Sequence, residues 1–414
     1  MYELHVADCL EFMAGLEANS LDACVTDPPY HLSSIVKRFG GAKAGNETFA
    51  ATNPTKAYAS LSRGFMGKQW DGGDVAFRPE TWRAVYDALK PGAHLVAFSG
   101  TRTYHRMACA IEDAGFEIRD QLQWLYGSGF PKSHDAEKGV DRIFCGCGGR
   151  AGSEHKCPSS EQGDEWQGWG TALKPACEPI CLARKPLSEK TVAANVLRWG
   201  TGAINVDACR VEGEAIQTTN GGVNQIYGDL SYNAGEAWKS HSKGRWPANL
   251  LHDGSDEVLA GFPETGEAKA SDRGERPAMA FGGGLLPDGG IRGHTDAGGS
   301  AARFFYSAKA GPLDRIGSSH ATIKPVDLMR WLCRLVTPTG GHILEPFAGS
   351  GTTGIAAMVE GFDCTMIELE ADHVADIERK LAFLRGEGAS RFAEHNAHRA
   401  ERKSEPMPLF GDAA

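Results

Sequence analysis

Asp27-Pro28-Pro29-Tyr30 ends an apolar run, Leu21 to Thr26, and its residue types are unusual for a plain turn. Two successive prolines fix two φ angles and remove two backbone donors, so a strand entering the turn must stop there. What remains is a rigid cup with a carboxylate at its start, free carbonyls and a phenol ring. Such a cup suits a flat ring bearing an amino group, offering acceptors for its N–H protons and a face to stack on. On four residues alone, a simple strand-ending turn is an equal reading.

A second stretch lies roughly three hundred residues later: Glu345-Pro346-Phe347-Ala348-Gly349-Ser350-Gly351-Thr352-Thr353-Gly354, between a strand and a helix. The next strand ends at Glu368. The glycines let the backbone turn tightly and let a ligand approach it, and an acidic strand tip suits ribose hydroxyls. No lysine closes the turn, which disfavours a triphosphate. Gly349 to Gly354 matches G-x-G-x-x-G, but the preceding Pro346-Phe347 and the lack of an independent hydride-transfer domain weaken a dinucleotide reading. Taken alone, the turn leaves its adenosyl cofactor unspecified.

The elements that must position these stretches alternate. Strands are expected at 3–6, 23–26, 94–99, 116–126, 178–183, 341–344 and 364–368. Helices are expected at 10–16, 79–89, 103–114, 327–336, 353–360 and 371–384, with Lys90-Pro91-Gly92 as a stop. Strands alternating with helical patterns predict an α/β fold, a doubly wound, mostly parallel sheet covered on both faces. Residues 31–75 break the rhythm with glycine turns and interspersed aromatic and basic side chains, and suit a substrate-touching flap. Residues 131–172 form an irregular insert. Residues 187–315 are glycine-rich and read as an inserted, loop-rich module outside the core sheet. The chain thus divides into 1–186, 187–315, 316–386 and a polar tail, 387–414.

The formal net charge is −10, which argues against a protein that coats nucleic acid through excess lysine and arginine. Basic and aromatic side chains for a local contact are available at Arg184, Lys185, Arg198, Arg210, Lys243, Arg245 and Trp246. No apolar stretch is long enough to span a membrane, and the N-terminus lacks the pattern of a signal peptide, so a cytoplasmic location is expected. Of eleven cysteines, Cys145, Cys147, Cys157, Cys177 and Cys181 cluster, with His155 nearby. Their spacing matches no paired C-x2-C zinc pattern, so free thiols are favoured over a metal site and no metal is expected.

Asp-Pro-Pro-Tyr together with Phe-Ala-Gly-Ser-Gly resembles the amino-group DNA methyltransferases that use S-adenosylmethionine. The order of the two motifs resembles the β-class enzymes of bacterial and phage modification systems. His320-Ala321-Thr322-Ile323-Lys324-Pro325 is similar to the family's H-P-T-x-K-P, with Ala321 where proline is usual. Asp8-Cys9-Leu10 is similar to its opening G-D-C-L, with Ala7 in place of glycine. Lys174 to Pro179 is similar to its H-E segment, with Cys177 where histidine is common. The resemblance implies a Rossmann-like methyltransferase fold with 187–315 as target-recognition module. It also implies double-stranded DNA as substrate and base flipping, with Asp27, Pro28, Pro29 and Tyr30 as the catalytic set. S-adenosylmethionine is the implied cofactor, held by Asp8, Thr322, Lys324, Phe347, Gly349, Ser350, Gly351, Thr352 and Glu368. Aspartate at the first motif position implies adenine N6, with cytosine N4 the alternative and a non-catalytic DNA-binding regulator more distant. A cognate restriction endonuclease and a homodimer are partners that the resemblance admits.

Overall fold

The computed structural model describes residues 2–30, 74–129, 133–145, 157–211, 244–267, 271–272, 291–292, 298–308, 314 and 323–386. The expected flap lies outside these residues except at its last two positions, and so does the tail.

Nine strands build one sheet: β1 (Tyr2–Val6), β2 (Leu21–Thr26), β3 (Leu89–Phe98), β4 (Glu117–Leu125), β5 (Cys177–Arg184), β6 (Leu250–His252), β7 (Tyr306–Ser307), β8 (His342–Glu345) and β9 (Asp363–Glu368). Their spatial order is β1-β9-β8-β2-β3-β5-β4-β6-β7. Neighbours run parallel except β5, which is antiparallel to both β3 and β4. Ten helices accompany them among the described residues: α1 (Cys9–Met13), α2 (Pro79–Ala88), α3 (Tyr104–Asp113), α4 (Ala136–Cys145), α5 (Glu161–Asp164), α6 (Val192–Trp199), α7 (Asp256–Leu259), α8 (Val326–Val336), α9 (Thr352–Glu360) and α10 (Ala371–Arg385).

The central strands are buried on both sides, which explains why they read as continuous apolar runs without alternation. On one face, Trp82 and Val85 of α2 and Met107 and Ile111 of α3 pack with Leu95 and Ala97. On the other, Leu328, Trp331 and Leu332 of α8 and Ile377 and Leu381 of α10 pack with Val25, Val96 and Ile343. Each such valine, leucine, isoleucine or methionine side chain contributes about 1.5–3 kcal/mol through burial, so the two layers fix where the strand ends lie.

Three expectations need correction. Lys90-Pro91-Gly92 does not separate α2 from the strand, because β3 runs through it; an irregularity in the pairing with β2 between Leu21 and Ala23 accommodates the proline. The stretch 187–315 is not wholly outside the sheet, since β6 and β7 extend its edge. They are three and two residues long, too short for periodicity to reveal. The irregular insert at 131–172 contains two helices, α4 and α5.

Candidate active site

In a parallel sheet the carboxyl ends of neighbouring strands share one rim, where open α/β folds bind their ligands. Here β8 lies between β9 and β2, with Leu344 beside Cys24 and Thr365. Asp27 at the end of β2, the glycine turn after β8 and Glu368 at the end of β9 therefore share a rim. The antiparallel β5 brings its opposite end there: Ile180 pairs with Phe98, which places Glu178 beyond the end of β3.

Asp27, Tyr30, Glu178 and Lys324 form one cluster. Lys324 Nζ donates to Asp27 Oδ2 at 2.6 Å, lies 3.2 Å from Glu178 Oε2 and 3.1 Å from the Tyr30 hydroxyl. The Tyr30 hydroxyl has Asp27 Oδ1 at 2.8 Å and Glu178 Oε2 at 3.2 Å as acceptors. Thr103 Oγ1 donates to the Tyr30 carbonyl at 3.1 Å and fixes the turn from the start of α3. Lys324, expected beside a cofactor, thus pairs with the aspartate of the cup.

Burial disfavours the Lys324 ammonium, but Asp27 and Glu178 outweigh it and raise its proton affinity above the ordinary lysine range. Burial also raises Glu178, against the opposing pull of Lys324 and with the help of Asp27. Burial pushes the Tyr30 phenol well up, with the two carboxylates adding to it, so Tyr30 stays a neutral hydroxyl. Two carboxylates facing one permanent ammonium leave the cluster with surplus acceptor capacity directed at the rim.

A further carboxyl links the cup to the glycine turn. Glu345 is 1% exposed, accepts from the hydroxyls of Thr26 and Thr353 and takes the Phe347 N–H at 3.0 Å. Burial raises its pKa to about 8, against the hydrogen bonds that lower it. Thr26 immediately precedes Asp27 and Thr353 lies in the first turn of α9, so one side chain sets the spacing between the two motifs.

The glycine turn is held through its backbone. Gly351 adopts φ +74° at the start of α9, where a Cβ would meet Ile377 at 2.8 Å. Glu368 takes the N–H of Gly349 at 2.6 Å and of Glu370 at 2.9 Å. The Ser350 and Thr352 hydroxyls lie 2.8 Å apart. Lys380 of α10, 1% exposed, donates to the Ser350 carbonyl at 2.9 Å. Phe347 is partly buried beside the α2–α3 layer. Asp8 caps α1, with Oδ1 taking the N–H of Leu10 and Glu11 at 2.8 and 3.2 Å. Thr322 lies outside the described residues.

Glu178, Glu345 and Lys380 were absent from the expected site. The H-E likeness around Glu178 was the one available signal; its place in the site depends on the direction of β5, which sequence periodicity does not report. Two of the basic residues considered for nucleic-acid contact have structural roles instead. Arg184 is buried against Glu117 at 2.7 Å, and Lys185 donates to Asn19 and to the carbonyls of Tyr86 and Leu89. Cys181 is a core residue of β5.

The family model for DNA methylases (N6_N4_Mtase) matches residues 21–379, spanning both motifs. A curated relative, Type II methyltransferase M.HindIII of Haemophilus influenzae, is 26% identical over 216 residues, covering 49% of this chain. The match spans 64% of that relative, just under two thirds of its length. Among solved structures, the M1.HpyAVI–SAM complex is 14% identical, with TM-score 0.38, over 92% of this chain and 99% of that one. PvuII DNA methyltransferase (cytosine-N4-specific) is 13% identical, with TM-score 0.44, over 92% and 86%. TTHA0409 of Thermus thermophilus, a DNA modification methylase by its description, is 14% identical, with TM-score 0.42, over 93% and 97%. With most of its length matched by the family model, from the strand before the Asp-Pro-Pro-Tyr cup into α10, the chain belongs to the DNA methylase family.

Proposed function

We propose that this protein transfers a methyl group from S-adenosylmethionine to the exocyclic N6 amino group of adenine in duplex DNA. The observation that carries this reading is the shared rim: an acceptor-rich cup for an amino group lies one strand away from a glycine turn suited to an adenosyl ligand.

The turn fits such a ligand on its own geometry. Gly351 has no side chain over the start of α9, and Glu368, which holds the Gly349 and Glu370 N–H groups at the strand tip, would meet the ribose hydroxyls there. Phe347, Gly349, Ser350, Gly351, Thr352 and Glu368 would hold the ligand, with Asp8 closing around it, while Lys324 stays with Asp27 in the cup. Bound there, S-adenosylmethionine supplies an electrophilic methyl group on a sulfonium.

An exocyclic amino group inside a duplex is out of reach, so the base is flipped into the cup. Tyr30 stacks on it, while the Asp27 carboxylate and the Pro28 carbonyl accept its two N–H protons. Pro29 keeps the turn rigid and without a competing donor. These bonds push electron density onto nitrogen and hold its lone pair toward the methyl donor; orientation and charge stabilisation supply most of the rate enhancement. Base readout is assigned to the 187–315 stretch.

The test is transfer of radiolabelled methyl from S-adenosylmethionine to unmethylated duplex DNA, followed by nucleoside analysis of the product. Label in N6-methyladenine supports the reading. Label in N4-methylcytosine would move the substrate to the other amino base, and absence of label from DNA would end it.

A further inference from the structure

Methylating an amino nitrogen releases a proton, and the cluster around Tyr30 bears on where it goes. We propose that Glu178 is the terminal acceptor of that proton, reached from Asp27 through the Tyr30 hydroxyl, so that Tyr30 is a proton conductor as well as a stacking ring. This inference rests on the methyl-transfer reading above.

The geometry supplies the route. The Tyr30 hydroxyl carries one proton and stands between two carboxylate oxygens, Asp27 Oδ1 at 2.8 Å and Glu178 Oε2 at 3.2 Å. As nitrogen forms its bond to the methyl carbon, the carbon–sulfur bond of the sulfonium donor breaks and its electron pair stays on sulfur. The nitrogen then carries a surplus proton and a positive charge. An N–H bond breaks toward Asp27, the tyrosine oxygen takes that proton, and the tyrosine's own proton passes to Glu178. Nitrogen becomes neutral, Asp27 and Tyr30 return to their starting forms, and Glu178 ends as the carboxylic acid. Its side chain is 19% exposed, which lets it release the proton to water.

Lys324 is excluded as the acceptor. Its three N–H donors have three acceptors, on Asp27, Glu178 and Tyr30, and two carboxylates keep it an ammonium. Asp27 is a poor terminus because both of its oxygens already have partners, Oδ2 the Lys324 ammonium at 2.6 Å and Oδ1 the Tyr30 hydroxyl at 2.8 Å. Glu178 is better suited: burial, only partly countered by Lys324, raises its proton affinity. The groups facing it are Cys177 on its own strand, Asp27 and Tyr30 after β2, Lys324 before α8, and Tyr126 just beyond β4, whose phenol burial and Glu178 push up to about 12.

The test compares wild type, Glu178→Gln, Tyr30→Phe and the double variant in single-turnover methyl transfer from pH 5.5 to 9, at saturating donor and DNA. General-base assistance is typically worth about 10²-fold or more. Each single variant should lose about that factor in rate, with Kd for DNA within about threefold because the ring and the side-chain volume remain. The double variant should be no slower than the slower single one, because one pathway is broken only once. In wild type the rate should fall as pH drops through the titration of Glu178, and Glu178→Gln should lack that acid limb. Independently of activity, infrared pH titration of the free protein should show a carboxyl titrating above the ordinary glutamate range that Glu178→Gln removes. A Glu178→Gln rate within twofold of wild type, an unmoved acid limb, or multiplicative losses in the double variant would overturn the relay alone. A wild type that methylates no DNA would overturn the functional reading and the relay with it.

Discussion

The Asp27 cluster and the glycine turn stand on one rim, one strand apart, yet they are held in opposite ways. In the cluster, side chains from three distant segments bond to one another: Asp27 and Tyr30 after β2, Glu178 on β5 and Lys324 before α8. In the turn, side chains grip backbone: Glu368 takes N–H groups of Gly349 and Glu370, and Lys380 holds the carbonyl of Ser350. The cluster depends on charge balance among its own side chains. The turn depends on backbone conformation and presents a fixed surface. A reaction that moves a proton at one place and needs a rigid ligand seat at the other is served by that division.

The contrast can be broken most sharply at Asp27. Asp27→Ala is expected to reduce methyl transfer by about 10³-fold, measured with saturating donor. Its unfolding midpoint should barely move, because Glu178 still faces Lys324. Lys324→Ala should do the reverse in emphasis. It leaves two partly buried carboxylates without their ammonium, and denaturant titration should show a loss of about 3 kcal/mol. A loss below about 1 kcal/mol, the range of an exposed pair, would show that the cluster is not an interdependent charge network.

Glu345 joins the two regions and has its own signature. Its folded pKa of about 8 lies above the ordinary 4.5, so the folded chain keeps a proton that the unfolded chain has released. The stabilisation is complete below about pH 4.5 and is lost as pH rises through 8, at no more than about 1.4 kcal/mol per unit. Glu345→Gln should flatten that segment of the stability–pH curve. An unchanged slope would assign it to other groups. The smallest effect is expected at Gly351→Ala, where positive φ and the approach of Ile377 should cost about 1–2 kcal/mol. Calorimetry should show weaker donor binding, with the methyl-transfer rate at saturating donor largely kept. A catalytic loss comparable to that of Asp27→Ala would mean that the two regions are not separable in this way.

The same contrast explains what was legible in the sequence. The glycine turn is local: its residues, its helix and Glu368 lie within 24 positions, so their chemistry could be read together. The Asp-Pro-Pro-Tyr cup was legible for the same reason, because prolines write their backbone constraint into the chain. The cluster is non-local. Lys324 was recognised as a site residue but assigned to the cofactor, since nothing near it in sequence shows that its amine meets Asp27. Glu345 was seen as part of a motif, with no sign that its carboxyl would receive the Thr26 hydroxyl. Lys380 sits in a helix as an ordinary basic residue, and only packing reveals it as buried. Strand type and approximate position were predictable from apolar runs, but strand direction was not, because a buried strand has the same composition in either sense.

That direction has a consequence for where the chain leaves the sheet. Because β5 runs against its neighbours, the polypeptide leaving Arg184 departs from the rim opposite Asp27. There Asn195 of α6 anchors to the Pro91 carbonyl at the start of β3. Among the described residues, the end of β6 at His252 lies at the catalytic rim. Within 187–315, the described chain after Arg184 therefore starts at the far rim, and that after His252 starts at the catalytic rim, at the end of β6. The connection after His252 thus starts at the catalytic rim and ends at the far one, because the next strand of the sheet, β7, runs parallel to β6.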